Sequence, residues 1–124
     1  MQRIVNDPNL VVEEMLKGFA KCHKNLVVPI EENPRVLKYI KAPIQGKVGI
    51  VTGGGSGHKP AFVGYVGKNM CDAVAVGEIF SSPSAQVFFD AFKAAPSRGA
   101  FFNHEIRDRY TFREVTRRPS QTVR

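Results

Sequence analysis

Seven consecutive residues constrain this chain more than any others: Thr52-Gly53-Gly54-Gly55-Ser56-Gly57-His58. They follow Val48-Gly49-Ile50-Val51, so that residues 47–52 read as a buried strand running into a loop. Without Cβ atoms in the way, such a loop lets backbone N–H groups approach a ligand closely. Three familiar templates can be laid on it. The phosphate loop G-x-x-x-x-G-K-[ST], started at Gly53, needs glycine at 58 and Ser or Thr at 60, and meets His58 and Pro60. The dinucleotide fingerprint G-x-G-x-x-G fits Gly53 and Gly55, then meets His58. The nucleophile elbow G-x-S-x-G, centred on Ser56, has Gly54 and again meets His58. All three fail at the same residue. The loop therefore reads as a device that presents a histidine beside backbone donors. Imidazole titrates nearest to neutrality, and His58 is placed to take a proton from a hydroxyl during attack on phosphorus. Ser56 and the backbone N–H groups would bond a small polar substrate. The competing reading is a turn that only changes chain direction.

The surrounding pattern supplies an α/β rhythm. Asp7 caps and Pro8 opens a helix over 8–21, with Val11, Met15 and Phe19 on one apolar stripe beside Val12 and Leu16, and Glu13 and Glu14 facing away. Short strands are expected at 26–30 and 36–40, the first ended by Glu-Glu-Asn-Pro. Ala42-Pro43 to Gly46 reads as a turn. After the glycine loop come a short helix over 61–66, a buried strand over 72–76, a loop over 77–82, and a helix opened by Pro83 and running to 94. Strand, loop, helix, strand, loop, helix defines an α/β fold: a partial layered sheet with flanking helices. Phe88, Phe89 and Phe92 read as core or interface rather than a ligand box. Glu78 either reaches the glycine loop or caps the following helix.

Composition enters where it excludes. At 43% hydrophobic and 23% charged over 124 residues, the chain is not disordered as a whole. No apolar run approaches the roughly 20 residues that span a bilayer. Residues 1–12 lack a signal-peptide core. Cys22 and Cys71 form no metal spacing and read as free thiols, which suits a cytoplasmic location. The net charge of +7 suggests nucleic acid, but its distribution argues against that partner. Residues 1–96 hold nine Lys, two Arg and eight acids; residues 97–124 hold no Lys, seven Arg and three acids. The excess sits largely in a terminal Arg-rich segment, and the change of basic vocabulary divides the chain into 1–95 and 96–124. The second part reads as a basic tail, disordered or the product of a shifted reading frame. His23 reads as a surface residue, and His104 is assigned no role.

Ile4-Val5-Asn6-Asp7, Gly46-Lys47-Val48, the Gly-Gly-Gly-Ser-Gly-His-Lys-Pro segment at 53–60, Gly64-Tyr65-Val66-Gly67-Lys68-Asn69-Met70, and Gly77-Glu78-Ile79-Phe80-Ser81-Ser82-Pro83 together resemble the N-terminal part of the dihydroxyacetone kinase K domain over residues 3–95. The resemblance implies an α/β domain that binds dihydroxyacetone or a related ketose such as erythrulose and forms homo-oligomers. It implies Gly55, Ser56, Gly57 and His58 as substrate-binding positions, and His58 as the base or hydrogen-bond partner of the attacking hydroxyl. No cofactor and no metal would be bound by this chain. ATP or a phosphotransferase-relay phosphate donor would be carried on a partner, the nucleotide-binding L domain or subunit. There are departures. Lys59 stands where the family usually has Glu. The family's Asn-Tyr-x-Gly-Asp motif and its later, covalently reacting histidine do not occur in these 124 residues. The expectation is a fragment that is inactive alone, or else a non-catalytic ketose-binding or regulatory paralogue.

Overall fold

The computed structural model describes residues 5–58 and 61–96. The expected role of Lys59, and every expectation for the Arg-rich segment and His104, lie outside them. Asp7 accepts a hydrogen bond from the Asn9 N–H (2.8 Å), and a 3-10 turn at Pro8–Leu10 leads into helix α1, Val11–Cys22. Strands β1 (Val27–Pro29) and β2 (Val36–Tyr39) form an antiparallel pair. Strand β3 (Val51–Gly54) lies parallel to β4 (Ala73–Val76), and β4 lies antiparallel to β2. The sheet order is β1-β2-β4-β3, and helix α2 (Ala85–Ala94) follows.

Period-two alternation sorts the strand residues onto two faces. On one face Val27, Leu37, Tyr39, Val74 and Val76 pack with Val12 and Leu16 of α1 and with Val63 and Val66. On the other, Val36, Val51, Ala73 and Ala75 pack with Phe88, Ala91 and Ala95. The small side chains of β4 let α2 come close. Phe88 then lies over Gly53, where an added Cβ would stand 2.6 Å from its ring. A central strand buried on both faces carries an unbroken apolar run, which is what Ala73-Val74-Ala75-Val76 is.

The elements match the sequence expectation, with shifted ends. The largest shift is at β3, which starts at Val51 rather than 47 and continues through Gly53 and Gly54, two residues expected in the loop. Asp72 is the physical cause. Its side chain is 4% exposed and bonds Lys47 Nζ (2.6 Å) and the Ile50 N–H (2.9 Å), while its own N–H donates to the Ile50 carbonyl (2.7 Å). The stretch before β3 is thus held by a buried carboxylate instead of a ladder, and Val48 is left 46% exposed. The expected helix over 61–66 is a 3-10 turn, Val63–Tyr65. Helix α2 is capped by Ser84, whose hydroxyl accepts from the Val87 N–H (3.5 Å), so it starts after Pro83 rather than at it.

Removing the Asp72 charge strands Lys47 and an N–H together. Asp72→Ala is expected to cost about 1–3 kcal/mol of stability, chiefly because the Ile50 N–H is left without its acceptor, while Lys47, 28% exposed, loses its ion pair. Urea unfolding of the full chain measures it.

Candidate functional site

The glycine loop leaves the C-terminal end of β3, and residues 77–82 leave the C-terminal end of the adjacent parallel strand β4. In α/β sheets ligands are bound beyond these strand ends. Here the two loops are bonded to each other. The Ser56 N–H donates to the Glu78 carbonyl (2.9 Å), the Gly57 N–H to the Ile79 carbonyl (3.0 Å), and the Gly77 N–H to the Gly54 carbonyl (2.9 Å). The approach leaves no room for side chains. A Cβ on Gly57 would lie 2.3 Å from the Ile79 oxygen across the clasp, and one on Gly77 would lie 2.2 Å from the Ser81 oxygen of its own loop. Gly55 is less tight, with the Glu78 oxygen at 3.3 Å.

This corrects one part of the sequence reading. The N–H groups of Ser56 and Gly57 do not face a substrate; they close the clasp between the two loops. What the loop offers in the way of polar chemistry comes from its side chains. Ser56 is buried, and its hydroxyl has no hydrogen-bond partner among the described residues. Such a group costs about 1–3 kcal/mol when left unpaired. His58 ends the 3-10 turn Ser56–His58 and is exposed. Its ring meets the edge of Phe62, centroid to centroid 6.1 Å, and Phe62 in turn meets Tyr65 at 6.5 Å. Phe62 sits at φ 64°, ψ −62°, with the Val63 N–H bonded to the Ala61 carbonyl (2.8 Å). That is a γ-turn of the strained kind, rare for a bulky residue. Strained backbone gathers at ligand sites, and here it holds an aromatic ring beside His58.

Glu78 neither caps α2 nor stands alone. Its carboxylate accepts from Arg35 Nη2 (2.7 Å), and Arg35 Nε also donates to Glu13 Oε1 (2.8 Å). Glu13 therefore does not face away from the protein as its helical position suggested. Burial pushes the Glu13 carboxyl up, but the Arg35 guanidinium outweighs it and holds the group below the ordinary glutamate range. Neither Arg35 nor Glu13 was singled out from the sequence. The available signal was an arginine lodged directly after the Glu-Glu-Asn-Pro turn. Burial pushes the Cys71 thiol up, with the Asp72 charge adding to it. Among the described residues no cluster of three metal-ligating side chains occurs, and no helix is long and apolar enough to cross a membrane.

A four-stranded sheet covered on both faces by helices, with a clasped glycine loop at the ends of two parallel strands, defines an α/β domain. A Dak1 domain matches residues 17–104, more than half of the chain, and the chain belongs to that family. It is 42% identical over 95 residues to the dihydroxyacetone-binding subunit DhaK of a PTS-dependent dihydroxyacetone kinase of Listeria innocua, covering 77% of this chain and 28% of the relative. The dihydroxyacetone kinase structure of C. freundii superposes with a TM-score of 0.74 at 28% identity, over 82% of this chain and 19% of that one. The dihydroxyacetone kinase operon co-activator Dha-DhaQ superposes at 0.64 and 35% identity, over 73% and 27% of the two chains. The chain thus spans under a third of the length of these relatives.

Gly57→Ala is expected to cost about 2–3 kcal/mol, the range of an overpacked contact, because backbone and not a flexible side chain must yield. Gly18→Ala, where nothing lies within 4 Å of the added Cβ, is expected to gain about 0.5–1 kcal/mol from helix propensity. Thermal unfolding of the two variants beside the parent checks both signs. The Glu13 carboxyl has a native pKa below its unfolded one, so its stabilisation is complete above the unfolded value of about 4.3 and is lost as pH falls through the native value. The stability gap between the parent and Glu13→Gln is therefore expected to be widest near neutrality and to shrink on acidification, read by urea unfolding at a series of pH values.

Proposed function

We propose that this chain carries the ketose-binding loop of a dihydroxyacetone kinase K domain. Ser56 binds a substrate hydroxyl or carbonyl through Oγ. His58 takes the proton from a terminal hydroxyl as that oxygen bonds to phosphorus and the donor's own bond to phosphorus breaks. Gly55 and Gly57 serve by letting the loop close against residues 78 and 79. The observation that carries the reading is the division within the loop: its stem is buried and bonded to its neighbour, its serine hydroxyl is unpaired, and its histidine stands exposed at the end. The Listeria innocua relative is named as a dihydroxyacetone-binding subunit, which supports the choice of ligand.

The phosphate donor, ATP or a phosphotransferase relay, is carried by a nucleotide-binding L domain or subunit. Phe80, 99% exposed in the loop after β4, gives the rim of the site an apolar side chain for such a partner or a second copy of the chain to cover. These 124 residues hold no Asn-Tyr-x-Gly-Asp motif, so ligand binding without turnover is the behaviour of the chain alone. The likeness to an operon co-activator favours a second reading, a regulatory module that binds ketose without phosphoryl transfer.

Titration of dihydroxyacetone into the full chain, followed by NMR at Ser56 and His58, tests the site. Saturable binding is expected, weakened about tenfold by His58→Ala as a hydrogen bond to the substrate hydroxyl is lost. Shifts that never saturate, or that are indifferent to His58→Ala, overturn the proposal. Phosphorylated ketose formed on adding an L-type subunit and its phosphate donor would overturn the regulatory reading.

A further inference from the structure

Arg35 stands directly before β2, and its N–H, carbonyl, Nε and Nη2 are all bonded. Its N–H donates to Asn33 Oδ1 (3.0 Å), and Asn33 Nδ2 donates to Asp90 Oδ2 of α2 (2.9 Å). Its carbonyl accepts the Val76 N–H at the last residue of β4 (2.9 Å). Its side chain, 18% exposed, ion-pairs with Glu13 of α1 and with Glu78 (2.7 Å). One residue therefore joins both helices, the end of β4 and the loop that follows. The Glu78 carbonyl is the acceptor for the Ser56 N–H, and the next carbonyl, that of Ile79, is the acceptor for the Gly57 N–H.

We propose that Arg35 is a positioning residue for the glycine loop: by gripping Glu13 and Glu78 at once it fixes the two carbonyls that hold Ser56 and Gly57, and so sets where the Ser56 hydroxyl and the His58 imidazole stand. Its importance to ligand binding rests on the reading of that loop as the ketose site; its effect on loop geometry does not. An isolated exposed pair would contribute little. Glu78 is 62% exposed, but the guanidinium it meets is already fixed by Glu13 and by the backbone on both sides, so little conformational freedom is left to lose on pairing.

The test is amide hydrogen exchange by NMR on the full chain. Arg35→Gln and Glu78→Gln are each expected to speed exchange at Ser56 and Gly57 by about threefold or more, as the local opening of a loop becomes easier. Exchange at the β4 amides, Ala73–Val76, is expected to stay within about twofold, since their opening follows the global stability. Arg35→Lys, which keeps the charge and loses the two-headed grip, should fall between. Uniform acceleration at all these amides would mean a role in stability alone and would overturn the proposal, as would unchanged exchange at Ser56 and Gly57. Glu78→Gln changes an exposed side chain outside the core and decides the matter if Arg35→Gln does not fold. A parallel dihydroxyacetone titration keeps the two claims apart. Selective loop opening with no ketose binding by the parent would sink the function and leave Arg35 as the loop's anchor.

Discussion

The close approach of two backbones sets the terms for this structure. Residues 55–57 and 77–81 come together so tightly that a Cβ on Gly57 would lie 2.3 Å from the Ile79 oxygen of the facing segment, while the facing loop is itself folded so closely that a Cβ on Gly77 would lie 2.2 Å from its own Ser81 oxygen. Glycine at these positions is a condition of contact as much as a source of backbone freedom. Once the contact forms, the Ser56 and Gly57 N–H groups are satisfied by protein, which removes the cost of burying them. The same contact decides what the loop can offer a ligand. With the Ser56 and Gly57 donors spent, polar recognition falls to a serine hydroxyl and an imidazole.

The parallel pairing of β3 with β4 is what brings the two loops together, and packing explains why that pair forms with such sparse side chains. Strand β3 ends in two glycines, poor strand residues by propensity. Phe88 fills the volume over Gly53 that a side chain would otherwise take, and Ala73 and Ala75 let α2 lie low enough for it to do so. A glycine that weakens a strand in isolation is here the socket for an aromatic ring. On the other side of the sheet α1, Val63 and Val66 supply the second layer, and Phe62 reaches from that layer to the ring of His58. The histidine is exposed, yet it rests on a side chain anchored in the core.

Much of the fold was legible because its signals are local. The stripe of Val11, Val12, Met15, Leu16 and Phe19 announces α1, and the run of Ala73 to Val76 announces a strand buried on both faces. The position of β3 was not legible, because Asp72, twenty-two residues from Ile50, displaces the ladder from the stretch that its apolar residues would have favoured. The site divides in the same way. His58 and Ser56 could be picked out from a chain motif that breaks three templates at one residue. The partners of their loop could not, since an N–H that donates to Ile79 and one that donates to a substrate look alike in sequence. Glu13 was read from helical periodicity as solvent-facing. The guanidinium that captures it comes from a residue twenty-two positions away.

The geometry of this half of a site is closed within the described residues. The clasp uses residues 54–57 and 77–79; its anchor uses Glu13, Asn33, Arg35 and Asp90; its floor is β3, β4 and Phe88. None of these contacts calls on a residue after Asp90. A chain that spans under a third of its relatives' length can therefore hold the loop in place without the remainder. Under the proposed function, a ligand touched by Ser56 and His58 from one side would be bound with fewer bonds and less exclusion of water than one enclosed on all sides. On that reading, placement of the histidine and completion of a reaction centre are separate tasks. The first is served by the backbone contacts between the strand-end loops.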